Sequence, residues 1–157
     1  MLEDGSVYEG TARGDFKETA CEIVFNTSMT GYVEILTDPS YAGQGVVMTY
    51  PMIGNYGISR EDFESERLQP SAFIVHELSS DPSNFRCTDT IENLLKEYNI
   101  PCISGVDTRA VVKKLRESGT MRGVLTSDIG DRERLMDVIK SFRQIDLVGS
   151  VTAKQTK

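Results

Sequence analysis

Apolar residues in the first half of the chain come in short runs that partly alternate with polar ones: VYEGTAR (7–13), ACEIVFN (20–26), GVVMTY (45–50) and SAFIVHEL (71–78). β-Branched and aromatic side chains are frequent in them, and Gly, Pro, Ser or Asp bounds each run, which predicts strands. In ACEIVFN, Cys21, Ile23 and Phe25 share one face. CISGV (102–106) and MRGVLTS (121–127) fit the same template.

Later the apolar period lengthens to three and four residues. DTIENLLKEYN (89–99) sets Ile91, Leu94, Leu95 and Tyr98 on one stripe, with Asp89 as cap, Glu92 three residues on, and Asn99 and Pro101 as terminators. DTRAVVKKLRESG (107–119) places Val111, Val112 and Leu115 together between a capping Asp107 and a closing Gly119. In DRERLMDVIKSFRQ (131–144) the residues Leu135, Met136, Val138, Ile139 and Phe142 recur at helical spacing. The pattern predicts a mixed α/β domain, strands dominating the first half and helices the second, with a β-α-β passage through residues 102–127. The tail LVGSVTAKQTK loses periodicity and reads as the start of a linker.

FNTSMTGYVEILTDPSY (25–41) fits neither period throughout. It holds seven hydroxyl-bearing residues. Tyr32, Ile35 and Leu36 have the spacing of one short helical turn, and Asp38-Pro39-Ser40 reads as the turn that ends it. Such a corner displays the Ser40 hydroxyl, either to bond a ligand or to do nothing beyond capping a nearby N–H.

Composition narrows the function classes. A chain of 157 residues, 39% hydrophobic and 26% charged, fits one soluble globular domain with a real core. A formal charge of −7 argues against a nucleic-acid partner, and the densest basic run, KKLRES at Lys113, Lys114 and Arg116, reads as a solvated helix face. No segment approaches the length of a membrane span, and MLEDGSVYEG lacks the basic start and apolar run of an export signal. Cys21, Cys87 and Cys102 are odd in number and widely spaced, which suits a reducing cytoplasm rather than a disulfide framework.

The reactive residue types offer little. His76 is the one histidine and lies within a predicted strand, where a structural role is the simpler reading. The cysteines sit in or beside apolar sequence, without the small-residue elbow or helix start that activates a thiol. The acidic run EDFESE (61–66) reads as a solvated loop, and YPMIGNYGIS carries no phosphate-loop motif. No catalytic and no metal-binding residue is therefore assigned.

Five blocks, LEDGSVYEG, EIVFNTSMTGYVEILTDPSYAGQ, TYPMIGNYGI, SNFR and GVDTRAVVKKLRESGTMRG, resemble in this order the N-terminal domain of the small subunit of glutamine-dependent carbamoyl-phosphate synthetase. The resemblance extends from Leu2 to about Val151. It implies a swivelling β/β/α domain over residues 1–150 and, at 151–157, the start of a linker to a class I glutamine amidotransferase domain. That second domain carries the family's Cys-His-Glu machinery, and none of Cys21, Cys87 or Cys102 sits in its GxCxG elbow. The family usually has a few more apolar residues before LEDG, which implies a shortened first strand here.

The resemblance also implies a reaction. Glutamine is hydrolysed on the small subunit, and ammonia passes to the large subunit, which uses ATP and divalent metal to make carbamoyl phosphate for arginine and pyrimidine synthesis. This domain then needs no cofactor of its own. Its implied partners are the large subunit, the amidotransferase domain and glutamine, with no nucleic acid or membrane. The serine of the DPSY motif reaches across to bound glutamine in that family, and here it is Ser40.

Overall fold

The computed structural model describes residues 1–13, 16–28, 32–50, 52–53, 63, 66–78 and 91–142. Within them a six-stranded sheet forms from β1 (Thr11–Arg13), β2 (Thr19–Asn26), β3 (Gln44–Met48), β5 (Ala72–Ile74), β7 (Cys102–Ser104) and β8 (Met121–Leu125), in the spatial order β1-β7-β5-β3-β2-β8. The four inner strands are parallel, and both outer strands run antiparallel to their neighbours. A separate parallel pair joins β4 (Met52–Ile53) to β6 (Glu77–Leu78). The helices are α1 (Tyr32–Thr37), α2 (Ile91–Glu97), α3 (Thr108–Ser118) and α4 (Arg132–Ser141).

Central strands of a sheet covered on both faces need apolar residues at successive positions, not alternate ones. β3 meets this with Val46, Val47 and Met48, all buried. Val46 and Met48 join Phe73, Tyr32 and Leu36 of α1 and Leu94 of α2 in one cluster. Val47 belongs to the other face, with Cys21, Ile23, Ile74 and the Val111, Val112 and Leu115 stripe of α3. α4 sets Leu135 and Ile139 against Val124 and Ala20 at the β8 end. The mixed α/β arrangement expected from the apolar rhythm, strands leading and helices following, is the one the chain adopts.

Burial of each large side chain such as Phe73 or Leu36 stabilises by about 1.5–3 kcal/mol. At Gly45 the packing leaves no room: a Cβ there would lie 2.7 Å from Cys21 Sγ and 2.9 Å from Ile23 Cδ1. Asp107 caps α3 as expected, accepting from the Ala110 N–H at 3.1 Å, and the structure adds a cap on α4, Asp131 accepting from the Arg134 N–H at 3.0 Å. Asp89 lies outside the described residues.

Two sequence expectations change in detail, and a third, the β-α-β passage, forms with a topology the pattern did not specify. VYEGTAR yields only three strand residues, because its partner β7 is itself three long and Gly105, at φ +80°, turns the chain away. SAFIVHEL is split into β5 and β6, since the Gly105 N–H donates to His76 O at 2.7 Å and the strand leaves the large sheet there. The passage β7-α3-β8 does not link neighbouring parallel strands: β8 pairs antiparallel with β2, three strands away from β7 in the sheet order. At the amino terminus Leu2 forms a single antiparallel bridge to Gly123.

Candidate functional site

The corner that carries Ser40 is built from α1 onward. Tyr32, Val33, Ile35 and Leu36 are all buried, so the six-residue helix is held by packing, not by intrinsic helicity, which is marginal at that length. Thr37, fully buried, donates its hydroxyl to Val33 O at 2.8 Å. Pro39 disfavours a helical Asp38, whose backbone is extended at φ −76°, ψ 119°. The chain then makes a single 3-10 turn over Pro39–Tyr41.

Asp38 closes this turn through its side chain. Its Oδ1 accepts the Ser40 N–H at 2.9 Å, while its carbonyl accepts the Tyr41 N–H at 3.1 Å. The Ala42 N–H donates to Pro39 O at 3.1 Å, and Gly43 follows at φ +77°, a conformation that favours glycine. Two longer-range ties fasten the turn to the domain. Asn26, the last residue of β2, donates from Nδ2 to the Tyr41 hydroxyl at 2.9 Å. The Gln69 N–H donates to Leu36 O at 2.8 Å, and the Gly43 N–H returns to Gln69 O at 3.3 Å.

Ser40 is exposed at the apex of this frame. Its N–H is already committed to Asp38, so the side-chain hydroxyl is the group offered outward, as one donor and two lone pairs. A neutral hydroxyl on a rigid turn is suited to orienting a polar ligand, and the neighbouring Asp38 carboxylate is bonded to the Ser40 backbone N–H. The turn itself was readable in DPS, but Asn26 and Gln69 were not, because Asn26 lies 15 positions from its partner Tyr41, and Gln69 lies 33 and 26 positions from its partners Leu36 and Gly43.

The other reactive residues do not gather around it. His76 is exposed, with Nδ1 3.1 Å from Val106 O, at the point where β5 leaves the large sheet. Burial pushes the Cys21 and Cys102 thiols up to about 12, far from a thiolate at neutral pH. Cys87 and most of EDFESE and TYPMIGNYGI lie outside the described residues. Among the described residues no three His, Cys, Asp or Glu side chains stand close enough to hold a metal ion. Nor is any described helix long and apolar enough to cross a membrane.

The chain as a whole is similar to known proteins. Residues 1–125 match the family described as carbamoyl-phosphate synthase small chain, CPSase domain. The carbamoyl phosphate synthase small chain of Caldanaerobacter subterraneus subsp. tengcongensis is 49% identical over 154 residues, covering 98% of this chain and 41% of that protein. Its counterpart in Archaeoglobus fulgidus is 50% identical over 161 residues, 99% of this chain and 44% of that one. The Fusobacterium nucleatum small chain is 54% identical over 155 residues, with 98% and 43% covered. This chain thus spans about two fifths of the length of the curated relatives it matches.

Proposed function

Because the chain belongs to the carbamoyl-phosphate synthase small-chain family, we propose that it is the non-catalytic N-terminal domain of a glutamine-hydrolysing small subunit. Residues 1–150 form that domain, and 151–157 begin the linker to a class I glutamine amidotransferase domain. The parent enzyme is cytoplasmic, takes ammonia from glutamine, and delivers it to a large subunit that carries ATP and divalent metal. This domain holds the amidotransferase domain against the large subunit and contributes one contact to glutamine.

The contact is Ser40, and the observation that carries it is the turn: a capped, tied-down corner whose exposed residue presents a hydroxyl. The hydroxyl donates to the substrate carboxylate or accepts from its ammonium, orienting glutamine while the chemistry proceeds on the neighbouring domain. The buried, high-pKa thiols Cys21 and Cys102 support a non-hydrolytic role for this part of the enzyme.

Steady-state kinetics of the full-length small subunit paired with its large subunit test the reading. Ser40→Ala raises the glutamine KM and leaves ammonia-driven synthesis intact. Unchanged KM and kcat for glutamine would remove the substrate contact and leave a purely scaffolding domain.

A further inference from the structure

The KKLRES run divides in space. Lys114 turns to the amino-terminal loop, its Nζ 2.7 Å from Asp4 Oδ2 and 2.7 Å from Ser6 Oγ. Lys113 and Arg116 instead join Arg109 on the exposed side of α3, where they line an open groove with Thr49, Val112 and Glu117. Spacings of four and three residues set these three cations in a row about 10 Å long. The Arg116 guanidinium lies over the Phe25 ring, 5.6 Å from its centre, which ties one end of the row to the sheet.

Lys114, Arg122 and Arg134 each have a carboxylate within salt-bridge distance. Arg109, Lys113 and Arg116 have none among the described residues, and Glu117 is the acid nearest them in the groove lining. Like charges one helical turn apart repel, so the row works against the helix that bears it. It stands out on a chain whose formal charge is −7. An isolated anion is held by donors that converge on one centre, whereas these follow one line along a helix. A line of cations with two arginine forks matches a line of carboxylates, each able to take a bidentate pair.

We propose that Arg109, Lys113 and Arg116 form a docking ridge for an acidic strip on a partner polypeptide, with carboxylates repeating about one helical turn apart. Its identification with the large subunit rests on the function proposed above; the ridge itself rests on its own geometry. The full-length small subunit supplies the test, through association kinetics with the large subunit at low and raised salt. Arg109→Glu combined with Lys113→Glu slows association about tenfold or more and flattens the salt dependence, while the melting temperature moves by no more than a few degrees. The pair Arg109→Gln and Lys113→Gln falls between.

Equal association and equal salt dependence for wild type and both variants overturn the ridge while leaving subunit pairing standing. If the wild-type subunits fail to associate at all, the proposed function falls. The ridge is then judged by a helical peptide with glutamates at positions i, i+4 and i+7. Peptide binding lost on charge reversal supports it; no binding, or displacement of the peptide by inorganic phosphate at its own low saturating concentration, overturns it.

Discussion

Ser40 and Gly45 lie five positions apart, and the forces that hold them have little in common. Gly45 sits on β3 between two strands, with Cys21 and Ile23 packed so closely that no Cβ fits. Ser40 sits on a turn held by a handful of hydrogen bonds, its hydroxyl in solvent. The first position is set by volume and the second by direction. A residue whose task is to meet a ligand belongs where substitution leaves the core undisturbed, and the chain passes from one regime to the other within a single strand entry.

Overfilling the packed side gives the largest effect. Gly45→Val costs about 3 kcal/mol, the upper end for an overpacked core, and lowers the urea midpoint accordingly. A midpoint equal to that of the parent would show that Cys21 and Ile23 yield freely. Next comes the frame of the turn. Asp38→Ala removes the side-chain acceptor of the Ser40 N–H and costs about 1 kcal/mol, and in the full-length enzyme it raises the glutamine KM because the hydroxyl is no longer held in place. A kcat change without a KM change would contradict that positioning role.

Glu18 lies at the rim of β2, its carboxylate bonded by Arg134 at 2.8 Å and by Thr126 at 2.9 Å. Those bonds, Arg134 foremost, hold its pKa down to about 2 from an ordinary 4.5. Since the folded form prefers the carboxylate, the contribution is fully present above pH 4.5 and disappears as pH falls through about 2. Exposure to solvent keeps it below about 1 kcal/mol. Glu18→Gln therefore lowers stability slightly at pH 7 and leaves it unchanged near pH 2, as paired melting curves would reveal; an equal loss at both pH values would point to packing instead.

Smallest of all is the effect of Ser40→Ala on stability, within about 0.5 kcal/mol, as suits an exposed side chain. On the proposed reading its consequence is confined to glutamine binding. A destabilisation comparable to that of Asp38→Ala would mean that the hydroxyl is part of the frame and not its outward-facing group.

Much of this was legible in the chain. The Cys21, Ile23 and Phe25 face, the Val111, Val112 and Leu115 stripe, the Asp107 cap and the Asp38-Pro39-Ser40 turn all depend on neighbours within a few residues, which local pattern reports. The lengths of β1 and the break after β5 were not, because each is decided by a partner strand: β7 is short, and Gly105 draws the His76 carbonyl out of line. The direction of β8 was likewise hidden. Nothing in MRGVLTS distinguishes a parallel neighbour of β7 from an antiparallel neighbour of β2.

The sequence by itself determined the class of fold, the rigid turn that displays Ser40, and the family, since each is written in local spacing or in long blocks of matching residues. Only the tertiary structure decided what holds that turn, through Asn26 and Gln69, and how the basic run on α3 divides, with Lys114 drawn to Asp4 and Lys113 left beside Arg109. The reason is physical. Periodicity tells a residue which face it occupies, but a hydrogen bond or an ion pair depends on which distant segment that face comes to meet.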